Sequence, residues 1–325
     1  MGLHARMLML VALMFAILFG IVVALGTYAG VNDPYVYVIM AVVIVGLQYL
    51  LGPSLVGLMM RVRYVSEQEA PDLHQMVAEL ADRAGIPKPR VGISEISIPN
   101  AFAFGRSIRD GRVCVTRGIL QLLTGNELRA VLGHEMTHLK NRDMIVITFL
   151  SVIPLVCYYA AWNLMFRRSR DDRGGDYTAL VGIGAFAMYF ISNLLVLYGS
   201  RIREYYADAG SVRLGSPPNE LATALYKLAY GSARLKNDPR AQYDLHRVEG
   251  VRAFFVNDVA HAAREISQLR EIDPDNSGTI NTNEMYNLRS RRIRLSTSDR
   301  MVELFTTHPN MLKRIKRLST LAWQG

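Results

Sequence analysis

Cysteine is scarce in this chain. Two occur in 325 residues, Cys114 and Cys157, and they form no C-x-x-C pair, so no disulfide framework is implied. No RNP-type or zinc-finger pattern occurs either, so the formal net charge of +9 is not read as affinity for nucleic acid. Its plain reading is attraction to anionic lipid headgroups together with a membrane-orientation signal. Charge itself is missing from four long stretches: Met7 to Ala29, Tyr35 to Met60, Met144 to Phe166 and Tyr177 to Gly199.

Each stretch has 23 residues or more and would reach about 34 Å as a helix, enough to cross the hydrocarbon core of a bilayer. The first is too long for a cleaved signal peptide, and a second follows at once. The chain is therefore read as a multi-pass protein of the cell membrane. Arg6, Arg61, Arg63, Lys140, Arg142, Arg201 and Arg203 fall on one side if all four stretches cross, which makes that side cytoplasmic. Arg167, Arg168, Arg170 and Arg173 object, because they would then lie outside. The second hairpin either crosses or only dips into the membrane. The segments that follow are residues 1–60, an N-terminal transmembrane hairpin; 61–143, the first half of a catalytic domain; 144–199, a second membrane hairpin; and 200–325, the second half.

The chemistry enters at His134-Glu135-Met136-Thr137-His138, an H-E-x-x-H pattern. On a helix it puts two imidazoles one turn apart on one face, with a carboxylate one step around. A catalytic zinc ion needs two neutral nitrogen ligands and a base beside the water it activates. In a chain with 7 His, chance makes such a match on the order of 1% of the time. Thr124 and Glu127 form a capping box just upstream, and Leu128, Val131 and Leu132 give the helix an apolar stripe. The bland alternative is a helix with two solvated or core-packed histidines.

Zinc asks for a third protein ligand and an open position. Ligand histidines also ask for a carboxylate on the far ring nitrogen. Glu204 and Asp208 lie one turn apart on a helix running out of the fourth apolar stretch, and fill those two roles as ligand and orienting acid. A surface helix with solvated acids is the competing account.

In the first polar block, Leu73, Met76, Val77, Leu80 and Ala84 recur at helical spacing. Strand signals follow at Arg90 to Ile93, Ala101 to Phe104 and Val113 to Val115, with Asp110-Gly111 marking a hairpin between the last two. Asn100, Ala101 and Phe102 could expose a sheet edge that takes an extended peptide by strand addition. On sequence alone an internal hairpin strand is the simpler reading.

Asn100-Ala101-Phe102-Ala103, His134 to His138, Glu204 to Asp208 and Thr307-His308-Pro309, with the paired apolar stretches, resemble the HtpX-like integral membrane zinc metalloproteases. These are relatives of the prenyl-protein-processing membrane endopeptidases. The resemblance implies an α-helical integral membrane protein whose catalytic domain is a mainly α, α+β zincin of the gluzincin type with a small β-sheet. It implies one zinc per chain on His134, His138 and Glu204, with Glu135 as general base. It further implies that His308 and Arg314 help bind the tetrahedral oxyanion, that Asn100 to Ala103 is the substrate edge strand, and that the protein clears damaged membrane proteins. Without it, His308 is a lone histidine beside a proline.

Between Glu204 and His308 the chain is longer than that family leads one to expect. An insertion at about residues 255–295 contains Asp273-Pro274-Asp275-Asn276-Ser277-Gly278-Thr279-Ile280-Asn281-Thr282-Asn283-Glu284, which reads as an EF-hand loop. Asp273, Asp275 and Ser277 supply oxygens at positions one, three and five; Gly278 makes the turn at six; the Thr279 carbonyl, Asn281 and Glu284 complete a calcium set. Val259, Ala262, Ile266 and Leu269 would form the entering helix, Met285 and Leu288 the leaving one. The competing account is a metal-free turn rich in Asn and Asp.

The leading function is therefore a membrane zinc endopeptidase acting on misfolded or damaged membrane proteins. Partners are polypeptides and the bilayer, with no nucleic acid. Two alternatives stay open: a processing protease dedicated to one substrate, such as a lipidated protein, and a calcium-responsive membrane scaffold with a vestigial zinc site.

Overall fold

The computed structural model describes residues 35–143, 175–234, 269–291 and 296–322, with a few positions between, namely Val146, Leu150, Ile153, Pro154, Cys157, Tyr158, Ala161, Gln242, Tyr243 and Ile293. The chain divides into two compact units. One comprises Met1–Leu51 and Ile145–Ile202, the other Gly52–Met144 and Arg203–Gly325. The first apolar stretch and the entering helix expected before Leu269 lie outside the described residues, as does most of the third stretch.

Helix α1 (Tyr35–Met59), whose residues up to Leu51 belong to the first unit, takes up the second apolar stretch. Leu150, Ile153 and Cys157, from the third stretch, are buried against Ala185, Met188, Tyr189, Leu195 and Val196 of the fourth. The fourth forms part of a long helix, numbered α5 below (Gly175–Arg213). Its Leu180–Arg213 portion is long and apolar enough to cross a membrane by length and composition, the one such helix among the described residues. Leu180, Ile183, Phe186 and Phe190 are exposed along it.

The second unit is mainly helical around one small sheet. Strands β1 (Val62–Tyr64), β2 (Arg90–Ser94), β3 (Ala101–Phe104) and β4 (Arg112–Thr116) line up in the order β1-β2-β4-β3. β2 and β4 run parallel, while β1–β2 and β3–β4 are antiparallel. Among the described residues this leaves β3 at one edge, in register Ala101↔Val115 through Phe104↔Arg112. Its side chains alternate between two cores, as a pleated strand requires. Ala101 and Ala103 join the large helical core, whereas Phe102 and Phe104 join Val56, Met60, Ile96 and Ile98.

The expected hairpin forms, but Asp110-Gly111 is not its two-residue turn. Residues 105–111 separate the strands, with a 3-10 turn at Ile108–Asp110 capped by the Ser107 hydroxyl, and Gly111 is extended at φ −67°. The cause is Asp110, whose carboxylate accepts from Arg106 at 2.8 Å, Arg90 at 3.0 Å and Arg112 at 3.2 Å. Three arginines on one acid hold the loop open. Strand β1 carries too short a pattern to be read from sequence.

Helix α2 (Pro71–Ala84) buries Leu73, Val77, Leu80 and Ala84, the expected helical stripe, and ends at Gly85 in the left-handed conformation that glycine tolerates best. Helices α3 (Arg117–Leu122), α4 (Gly125–Lys140) and α6 (Pro218–Arg234) complete the core with α7 (Thr282–Ser290), α8 (Thr297–Leu304) and α9 (Met311–Leu321). α4 packs against α2, α6 and strand β3. Its first turn is closed by the expected capping box, with the Thr124 N–H donating to Glu127 at 2.9 Å. Lys227 of α6 donates to the other Glu127 oxygen at 2.7 Å, tying the two helices together.

Candidate active site

Helix α4 carries both histidines into the core, where His134, Glu135 and His138 are all buried. One helical turn sets their rings side by side, and the two Nε2 atoms face each other at 3.1 Å. The far nitrogens are already engaged. His134 Nδ1 stands 2.9 Å from Asp208 Oδ1, and His138 Nδ1 stands 2.6 Å from Asp143 Oδ2. A carboxylate can only accept, so each Nδ1 carries a proton, and in the neutral imidazole that a metal requires each Nε2 then presents a lone pair. In that state the two lone pairs face one another, an arrangement that a cation between them relieves.

Glu204 supplies the third group. Its Oε2 lies 3.4 Å from His134 Nε2 and its Oε1 3.4 Å from His138 Nε2. A tetrahedral zinc with bonds of about 2.0–2.2 Å keeps its ligand atoms roughly 3.3–3.5 Å apart. The two Nε2 atoms at 3.1 Å and the two Glu204 oxygens at 3.4 Å from them stand close to that spacing, so the residues fit the ion.

The close approach of α5 to α4 makes this possible, and two glycines permit it. A Cβ on Gly210 would lie 2.2 Å from the Thr137 methyl, and one on Gly133 would lie 2.9 Å from the Ser211 hydroxyl. Ser211 also donates to the Ala130 carbonyl across the crossing at 2.6 Å. Glu204 and Asp208, one turn apart on α5, therefore reach opposite nitrogens of the site.

Charges around the donors are matched. Arg314 is wholly buried and grips Asp208 with two bonds, Nε to Oδ2 at 3.0 Å and Nη2 to Oδ1 at 2.7 Å, while Nη1 lies 3.1 Å from Glu204 Oε2. Buried bidentate Arg–carboxylate pairs of this kind fix orientation as well as charge. His308 Nε2 lies 3.9 Å from Glu204 Oε1, and its Nδ1 meets the Thr307 hydroxyl at 2.8 Å. Arg203 Nε approaches Asp143 at 3.2 Å. Burial pulls the His138 imidazole down, but Asp143 and then Glu204 outweigh it, and the net shift is upward. Burial pushes the Glu135 carboxyl above its ordinary value, against the two histidines and a backbone hydrogen bond from Ala103.

Strand β3 packs against α4, with the Ala103 amide near enough to the Glu135 carboxylate to favour its ionised form, so the edge of the sheet, unpaired among the described residues, runs beside the acid between the histidines. Asn100 is buried just before it, its amide on the Thr116 hydroxyl at 2.8 Å.

The structure thus brings together His134, Glu135, His138, Glu204, Asp208, His308 and Arg314, with Asn100 to Ala103 alongside. Arg314 faces Asp208 and Glu204 rather than open space. The EF-hand-like residues Asp273, Asp275, Ser277, Thr279, Asn281 and Glu284 form a separate loop of the same unit. Asp143 and Arg203 were not foreseen. Arg142, at φ 58°, turns the chain back after α4 ends at Lys140, and only that turn returns Asp143 to His138. An acid just beyond the helix end was the available signal.

Comparison with known proteins gives concordant matches. The model of peptidase family M48 matches residues 67–322. A protease HtpX homolog of Methanothermobacter thermautotrophicus is 55% identical over 226 residues, covering 70% of this chain and 85% of the relative. One from Moorella thermoacetica is 38% identical over 262 residues, covering 78% and 85%. One from Pyrococcus furiosus is 33% identical over 330 residues, covering 99% and 97%.

Proposed function

Since the chain belongs to peptidase family M48 and is a metalloprotease acting on peptide bonds, we propose that His134, His138 and Glu204 hold its zinc ion and that Glu135 is its general base. The observation that carries the assignment is the pair of imidazole Nε2 atoms facing each other at 3.1 Å, with Glu204 closing the triangle. When bound, zinc lowers the pKa of water towards neutrality and polarises a carbonyl oxygen.

The remaining work falls to side chains. Glu135 takes the proton of the attacking water and passes it to the leaving amine. Its burial among the histidines suits a base that must hold a proton briefly. Asp208 and Asp143 fix the ring orientations of His134 and His138. Arg314 positions Glu204 and Asp208, which departs from the oxyanion role that the family resemblance implied for it. His308 keeps that role, its Nε2 on the Glu204 side of the site; removing such a donor costs about 3–4 kcal/mol of transition-state stabilisation. The free edge of β3 holds the substrate as an added strand, next to Glu135.

The substrates are misfolded or damaged membrane proteins, cut at the cytoplasmic face of the cell membrane by a multi-pass enzyme. The apolar stretches and the Lys/Arg bias at their ends support that placement. A vestigial scaffold is not favoured, since a site without chemistry has no use for a buried base between its ligands. Nothing in the geometry favours a single dedicated substrate.

The test compares the parent with Glu135→Gln, purified in detergent and loaded with zinc. The variant retains one zinc per chain and loses cleavage of an unfolded protein substrate by at least about 10²-fold. Full cleavage by the metal-loaded variant would sink the assignment of the base, and absence of zinc from the parent would sink the site.

A further inference from the structure

We infer that the loop Asp273–Glu284 is a calcium site, independent of the zinc chemistry. One oxygen from each of Asp273, Asp275 and Glu284 lies within 4.8 Å of the others. Among the described residues none of the three is paired with Lys or Arg. Clustered carboxylates alone would mean little, because acids often gather at a surface turn. Two of these are not at the surface: Asp273 is 1% exposed and Glu284 8%.

Glu284 carries the argument. Its Oε2 accepts from the Asn281 amide at 2.8 Å, while its Oε1 is buried without a hydrogen-bond partner. A buried carboxylate oxygen left bare beside two other acids is costly unless a cation meets it. Burial, and then Asp275 and Asp273, push the Glu284 carboxyl above its ordinary value, while the Asn281 amide pulls it down.

The backbone follows the course that the twelve-residue spacing requires. Gly278, at the sixth position, is at φ +75°, and Asn276 is at φ 53°. Asp273 receives the amides of Ser277 and Gly278, each at 3.0 Å, which curls the loop around its first acid. The Ser277 hydroxyl reaches the Thr279 carbonyl at 3.1 Å and Asp273 Oδ1 at 3.4 Å, so the oxygens of positions one, five and seven converge. Asn281 caps α7, placing Glu284 in that helix's first turn. The loop is anchored to α6 by the Tyr226 hydroxyl on Asp273 at 2.7 Å and by Thr223, whose hydroxyl accepts from the Ile280 amide at 2.8 Å. A hard, oxygen-only set with three carboxylates selects calcium over zinc, and irregular ligands disfavour magnesium.

The experiment uses the full chain in detergent, zinc-loaded, in buffer stripped of calcium. Calorimetry and thermal unfolding follow additions of calcium or magnesium chloride to the parent, Glu284→Gln and Asp275→Asn. Gln at 284 keeps the capping box, and Asn at an exposed 275 keeps its bond to Ser277, so both variants fold. The parent binds one calcium and its Tm rises; each variant weakens calcium binding by at least about tenfold. No heat and no Tm shift with millimolar calcium overturns the inference, and so does parent-like binding by both variants or an equal response to magnesium.

Discussion

Gly210 sits where α5 crosses α4 too closely for any side chain. A methyl there would lie 2.2 Å from Thr137 Cγ2, 2.3 Å from its Oγ1 and 2.7 Å from its Cβ. Ordinary contact is about 3.5–4.0 Å, so Gly210→Ala demands a retreat of about 1 Å. Thr137 cannot swing away cheaply. It is buried, and its hydroxyl donates to the Gly133 carbonyl at 2.9 Å. The helices must therefore part, and Glu204 lies less than two turns up α5. Moving it by about 1 Å stretches its 3.4 Å spacings to both histidines beyond the reach of one ion. The expected stability cost is about 1–3 kcal/mol, the usual range for overpacking. The functional loss is larger, on the order of 10²-fold in cleavage, with a matching fall in bound zinc. Zinc content and cleavage rate of the purified variant check this. Thr137→Ala, added to Gly210→Ala, removes two of the three clashing atoms and should recover part of both. A Gly210→Ala enzyme with full zinc and parental activity would refute the claim that this crossing sets the ligand geometry.

Other outcomes follow from the same site. Asp143→Asn gives up the 2.6 Å bond to His138 as a charged contact and leaves Arg203 buried beside a neutral amide, so zinc affinity should drop by about 10–100-fold, measured by competition with a chelating dye. Because burial raises the Glu135 carboxyl, and the base must be ionised, kcat/KM should fall as pH drops through a value above the usual carboxylate range near 4.5. If zinc content falls in step with activity over that range, ligand protonation rather than Glu135 sets the limb. Removing zinc with a chelator should abolish cleavage and lower Tm, because a ligand that binds only the folded chain stabilises it; excess zinc should restore both. An unchanged Tm on chelation would argue that the three donors hold no metal.

Much of the geometry of the proposed site was legible because helices convert spacing into direction. His134 and His138 four residues apart must share a face, and so must Glu204 and Asp208. The capping box and the stripe of α2 were legible for the same reason: both are patterns within one turn or two. The strands at Arg90, Ala101 and Arg112 announced themselves by β-branched and aromatic residues. What a short-range pattern cannot carry is pairing. Nothing local says that β2 pairs with β4 in parallel, which is what leaves β3 at the edge beside Glu135.

The residues that contact the proposed ligands were hidden for a related reason. Asp143 depends on a left-handed turn at Arg142, and the direction of Arg314 depends on where α9 lies against α6. The amino-acid sequence by itself determined which side chains could do metal chemistry and which helices would present them. Only the packed structure decided that α4 and α5 cross at Gly210 and Gly133 closely enough for those side chains to meet, because that contact joins residues 73 to 78 positions apart and is settled by the volume of atoms rather than by any repeat in the chain.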